Sequence, residues 1–119
     1  MTAKPDTLPL ASINVMLRGP DVPPLEVNGW AAVGKPGLAV TPVYTTEDGQ
    51  DWQILLGYFF VTHTPSGYRL GLYPIEQDEA IKAMHALHSL GLDWTKAQDH
   101  FTQDEKARAR AVLRKFRML

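Results

Sequence analysis

Three groups of residues in this chain have types and spacings that could do chemistry, and each suggests a different kind. The first is imidazole. His85 and His88 stand three apart in an amphipathic stretch, and His63 closes the apolar run just upstream. Imidazoles one helical turn apart can chelate a transition metal. No HExxH is present, and no carboxylate stands one turn away on the same face to complete a ligand set. On a helical wheel His88 falls between Ile81 and Met84 on the apolar face, with His85 at its border, so both read as packing or rim histidines. His63, His85 and His88 are therefore weak metal candidates, and no cofactor is expected.

The second group is the nucleophile and acid set. Ser66 lies three residues from His63, but Thr64-Pro65-Ser66-Gly67 is accounted for as a turn and no G-x-S-x-G elbow surrounds the serine. Glu47, Asp48 and Asp51 cluster around an Asp-Gly turn without the ligand spacing of a calcium loop. Gly34-Lys35-Pro36-Gly37 has the composition of a phosphate loop, but no helix follows it to present its N-terminus to an anion. No catalytic residue is expected.

The third group is cationic. Lys106, Arg110, Arg114 and Arg117 are spaced i, i+4, i+8, i+11, within about 80° of one another on a helix. A ridge of that kind tracks phosphates or an acidic surface. These four are the expected anion or nucleic-acid contacts. A solvated helix face with cations near its C-terminus is the plainer reading of the same residues. Trp30, Tyr44, Tyr68 and Tyr73, all in strand-like segments, could stack bases, although strand aromatics more often fill a core.

Composition limits what these residues can belong to. The chain has 119 residues, 45% hydrophobic and 21% charged, and no cysteine. Disulfides, thiolate catalysis and cysteine-ligated metals are excluded, which suits a reducing cytoplasm. No apolar run approaches the ~18 residues of a membrane span, and the start, MTAKPDTLPLAS, has no signal-like apolar core. The net charge of −1 is unevenly spread: residues 1–91 hold 5 Lys+Arg against 9 Asp+Glu, and residues 92–119 hold 7 against 4. The basic excess is thus concentrated in the last helix-like segment.

The elements that must position these groups follow from periodicity. Residues 1–10 read as an arm, and Ala11–Leu17 alternates as a strand ended by Gly19-Pro20. Asn28-Gly29 between Leu25–Val27 and Trp30–Val33 predicts a two-residue hairpin. Leu38–Tyr44 alternates again, with Pro42 predicting an edge or a bulge. Trp52–Thr64 is apolar on both parities, so the pattern predicts a central strand covered on both faces and turning at Pro65 and Gly67 into Tyr68–Tyr73. From Ile75 the period becomes 3.6. A helix enters after Pro74 and ends at Gly91, with Ala80, Ala83, Met84, Leu87 and Leu90 on one stripe. Asp93 or Thr95 could cap a short helix through Phe101, and Thr102 with Glu105 forms a capping box for a last one buried through Ala109, Val112, Leu113 and Phe116.

Strands first and helices last predict a single α+β domain: an antiparallel sheet of about five or six strands in the N-terminal two-thirds, packed on one face by two to three C-terminal helices. The β-rich part is residues 11–73 and the helical part 75–118. Leu56, Phe60, Leu70, Leu87 and Phe116 are the expected core. One helical layer leaves the second face of the central strand to be covered by curled N-terminal strands or by a second subunit, so a homodimer is expected. The functional expectation is a small non-enzymatic cytoplasmic protein that binds a macromolecule, either nucleic acid or an acidic protein, and no membrane. A small metal-dependent enzyme using His63 with His85 or His88 is the alternative.

Overall fold

The computed structural model describes residues 9–19, 23–47 and 51–119. The N-terminal arm as far as residue 8, the tip of the loop after Gly19 and Asp48 in the acidic turn lie outside the described residues. Five strands form one sheet in sequence order: β1 (Leu10–Leu17), β2 (Leu25–Ala32), β3 (Leu38–Glu47), β4 (Asp51–His63) and β5 (Tyr68–Ile75). Every neighbouring pair is antiparallel. Two helices follow, α1 (Gln77–His88) and α2 (Gln103–Lys115), with a single 3₁₀ turn at Gln98–His100 between them. This is the expected α+β arrangement, an antiparallel sheet packed against two helices.

The main core lies between the sheet and the helices. Leu38 and Val40 of β3 and Val61 of β4 meet Ala80, Ala83, Met84 and Leu87 of α1 and Leu113 of α2. The stripe at 3.6-residue spacing is thus the buried one, and burying each large side chain contributes roughly 1.5–3 kcal/mol. Met118, beyond the last helix, is also fully buried. Its carbonyl accepts from the Leu72 and Tyr73 amides at 2.7 and 3.1 Å. The C-terminus therefore satisfies backbone donors where β5 leaves its ladder: Phe59 pairs with Ile75 and Val61 with Leu70, so Gly71–Pro74 stand opposite the single residue Phe60. Pro74 sits in this bulge, within the strand, and α1 starts only after Glu76.

Part of the second face is covered by the chain itself. Val15, Leu17 and Val27 pack on Ala39 with Ile13, Leu25 and Tyr44 around them, so the β1–β2 ribbon curls over the sheet. The Arg18 amide donates to the Gly67 carbonyl at 3.0 Å, joining the end of β1 to the β4–β5 turn. The result is a half-barrel closed at the β4–β5 turn, which leaves the outer half of β4 uncovered.

Three expectations are corrected. Asn28-Gly29 makes no turn: β2 runs straight through both residues, in register with β1 from Leu25 opposite Leu17 to Ala32 opposite Leu10. Gly29 serves a close approach instead, since a Cβ there would lie 2.9 Å from the Val40 carbonyl oxygen and 3.1 Å from the Thr41 methyl. Residues 94–101 form turns and the 3₁₀ segment, with Asp93 Oδ1 accepting from the Thr95 amide at 3.0 Å, and no α-helix. Leu56 is 77% exposed, and Ile54, Leu55 and Tyr58 are exposed with it, so the outer half of β4 is not core. Pro42 pairs with Phe59 but Val43 with Leu55, which leaves Leu56, Gly57 and Tyr58 unmatched in a bulge. Phe60 and Leu87 are buried as expected, while Leu70 and Phe116 are half-buried.

Candidate anion-binding site

The capping box fixes where α2 begins and therefore which cations face the sheet. Thr102 Oγ1 accepts from the Glu105 amide at 3.1 Å, and Glu105 Oε1 accepts from the Thr102 amide at 2.9 Å. Lys96 Nζ binds the same carboxylate at 2.9 Å and lies 4.8 Å from the centre of the Phe101 ring. These contacts, led by the Thr102 amide, hold the Glu105 carboxyl below its usual range. With that start, Lys106 and Arg110 line a cavity of about 280 Å³ between α2 and β5, facing Arg69, Tyr68 and Phe101.

A second cavity, of about 580 Å³, opens at the mouth of the half-barrel. Arg18 stands on its β1 side, Tyr44 on β3, Phe60 on β4 and Arg69 on β5. The Arg69 guanidinium lies 4.7 Å from the centre of the Phe60 ring, a cation–π contact that holds the arginine against the sheet. The floor contains a buried hydroxyl pair, Thr41 Oγ1 and Thr62 Oγ1, 2.7 Å apart. Tyr68, Arg69 and Gln98 border both cavities, so the two adjoin across the β5 edge and together make the candidate groove. Among the described residues, Arg18, Arg69, Lys106 and Arg110 have no carboxylate partner, and the one carboxylate lining the groove, Glu105, is already held by Lys96.

The ridge expected along the last helix is thereby divided. Lys106 and Arg110 enter the groove, while Arg114 and Arg117 are exposed and line neither cavity. Arg117 lies past the helix end at φ 62°, its amide on the Arg114 carbonyl at 3.0 Å. Arg108 has a structural contact, donating to the Leu90 carbonyl at 2.7 Å and tying α2 to the end of α1. Arg18 and Arg69 were not legible as site residues, because each is a lone cation in its own sequence segment and only the closing of β1 onto the β4–β5 turn brings them together. Of the aromatics, Tyr44 and Tyr68 line the larger cavity. Trp30 packs edge-on against Phe59 at 6.1 Å, and Tyr73 is exposed outside both cavities.

The histidines do not form a shared centre. His63 is buried, edge-on to Phe101 at 5.7 Å, with Nδ1 2.8 Å from Ser66 Oγ. Burial lowers its pKa, and backbone groups of Trp94 and Lys96 partly offset this. The Ser66 hydroxyl also accepts from the Tyr68 amide at 3.2 Å and lies 3.3 Å from the His63 carbonyl, so it is engaged in closing the turn. His88 is lowered to about 4, mainly by burial and then by Lys35 and His85, which places it in a different environment from His63. Among the described residues no group of three metal-ligating side chains comes together. No helix of the described residues is long and apolar enough to cross a membrane. No family model, no curated protein and no solved structure matches this chain.

Proposed function

We propose that the protein is a non-enzymatic binding module whose ligand is a polyanion, in its most specific form a nucleic acid, held in the groove between α2 and the mouth of the half-barrel. The observation that carries this is the convergence of Arg18, Arg69, Lys106 and Arg110 from three elements on two adjoining cavities whose single carboxylate among the described residues, Glu105, is held by Lys96. Tyr44, Tyr68 and Phe101 line the same groove, so charge and stacking surfaces alternate along it. An acidic protein is the competing partner for the same cations. The setting that suits a cysteine-free chain is the cytoplasm. The test is fluorescence anisotropy with a labelled oligonucleotide across a salt series. Four phosphate contacts on a single strand give a slope of log K against log salt of about −3. A flat titration at about 50 mM salt with both DNA and RNA removes the nucleic-acid form, and retention of an acidic peptide would then favour the protein partner.

A separate observation supports a second partner, another copy of this chain. Ile54, Leu55, Leu56 and Tyr58 are exposed on an arm whose segment from Trp52 to Tyr68 contains no charged residue. Pairing with β5 begins only at Phe59, so the edge of β4 before it has no strand partner among the described residues. A twofold antiparallel pairing of β4 with its own copy covers that edge, each contact between two residues being repeated with the chains exchanged. Those four side chains expose on the order of 400 Å² per chain, so the contact belongs with weak, transient interfaces.

A further inference from the structure

We infer that the larger cavity is a receptor for a single nucleotide unit, a planar ring carrying a phosphate, and that it makes the groove read single strands in preference to duplex. The inference rests on the polyanion reading above and goes beyond it, because a basic groove alone attracts any phosphate backbone. The cavity, at about 580 Å³, is in the size range of small-ligand sites, and it lies where curled sheets commonly hold ligands, at the mouth. Its lining offers both charge and ring surface. Arg18 and Arg69 supply charge, and among the described residues no carboxylate lines the space to repel an anion or to occupy the guanidinium groups. Tyr44, Tyr68 and Phe60 supply ring surface.

Arg69 links the two kinds. Its guanidinium carbon lies 4.7 Å from the centre of the Phe60 ring, a cation–π contact that restrains the group at the cavity while its N–H donors stay available to a phosphate and its plane to a base. Beneath it the Thr41–Thr62 hydroxyl pair, with both residues at 1% exposure or less, gives a dry floor that stays in place when a ligand enters. A base stacked inside a duplex cannot enter such a space, whereas an unpaired base can turn in with its own phosphate between the two arginines. The groove toward Lys106 and Arg110 would then carry the neighbouring phosphates.

The test is titration calorimetry on the intact protein with adenosine monophosphate, ribose 5-phosphate, adenosine and inorganic phosphate. Adenosine monophosphate is expected to bind at least tenfold tighter than any of the other three. Arg69→Ala and Arg18→Ala, both at exposed positions, each reduce that affinity about tenfold with an unchanged circular dichroism spectrum. Lys106→Glu with Arg110→Glu weakens a ten-base single strand at least tenfold, and weakens adenosine monophosphate several-fold less than it weakens the strand. Equal affinity for adenosine monophosphate and ribose 5-phosphate overturns the inference, as does equal affinity of the protein for single and double strands; both results leave the polyanion reading standing. Mononucleotide binding without oligonucleotide binding sinks the polyanion reading and keeps the receptor.

Discussion

Gly67, at φ 77°, accepts the Arg18 amide at 3.0 Å, and a Cβ on it would run into the carbonyl oxygen of Met16. One glycine therefore does two things. It completes the β4–β5 turn, its amide donating to the His63 carbonyl at 2.8 Å, and it admits the end of β1 to within backbone contact of that turn. The half-barrel closes there, and Arg18 is carried toward Arg69.

Gly67→Ala should consequently cost about 2 kcal/mol or more, from the left-handed backbone and the forced separation of β1 together. Urea unfolding measures it, and a loss under about 0.5 kcal/mol would mean that the turn and β1 are not held together. Mononucleotide affinity should fall in the same variant, because the cavity loses the wall that carries Arg18.

Phe60→Ala and Leu56→Lys divide β4 into its two halves. Phe60 is 5% exposed and supports Arg69, so its truncation should cost about 3–5 kcal/mol. Leu56 stands in solvent, and Leu56→Lys should shift stability by under about 0.5 kcal/mol. If a second copy pairs along the β4 edge, sedimentation equilibrium of the wild type at high micromolar concentration shows dimer and the Leu56→Lys protein shows monomer. A wild type that stays monomeric rules out the pairing.

Legibility from sequence followed the range over which each signal acts. The 3.6 period of Ala80, Ala83, Met84 and Leu87 and the Thr102–Glu105 box report on contacts within a few residues, and both match the structure. Asn28-Gly29 is a local signal as well, but tertiary packing overrides it: β3 approaches Gly29 so closely that the glycine serves the sheet, and the connection from β1 to β2 is the longer Arg18–Pro24 segment. The apolar composition of the outer half of β4 suggests burial, whereas a three-residue register shift leaves Leu56–Tyr58 unpaired, with Leu56 and Tyr58 exposed. Half of the basic ridge reached the candidate site, since helical spacing gives the direction of a side chain but not what it meets. Arg18 and Arg69 meet only through pairings far apart in sequence.

Acid should destabilise the fold before its carboxylates titrate. The pKa of His88 is lowered to about 4 by burial, then by Lys35 and His85, and that of His63 is lowered by burial. As pH falls below about 6.5 the unfolded chain takes up protons that the native state refuses, so stability is fully present above that value and declines as pH drops toward about 4. For His88, discounted for its partial exposure, the loss is on the order of 2 kcal/mol. Asp93 and Glu105 are also lowered, but they matter only near and below their ordinary carboxylate range, outside most of this window. Urea midpoints at about pH 7 and about pH 4.5 measure the decline, which His88→Gln should reduce. A stability independent of pH across that interval would mean that His88 is solvated.

Two charge-reversal pairs on α2 separate the groove from the ridge. Lys106 and Arg110 line the cavity beside Arg69, while Arg114 and Arg117 line neither cavity. Replacing the first pair by Glu should reduce single-strand affinity at least tenfold and lower the salt slope by about 1.4, the share of two phosphates at ~0.7 each. Replacing Arg114 and Arg117 by Glu should change affinity by no more than about threefold, through the long-range field alone, which salt screens. None of the four makes an ion pair among the described residues, so folding stability should be nearly the same in all the proteins, within about 0.5 kcal/mol. Equal losses from the two pairs would show that the ligand follows the whole helix face and that the groove confers no selection. A larger loss from Arg114 and Arg117 would move the site to the end of α2, beside the exposed Leu72 and Tyr73 whose amides the Met118 carbonyl holds.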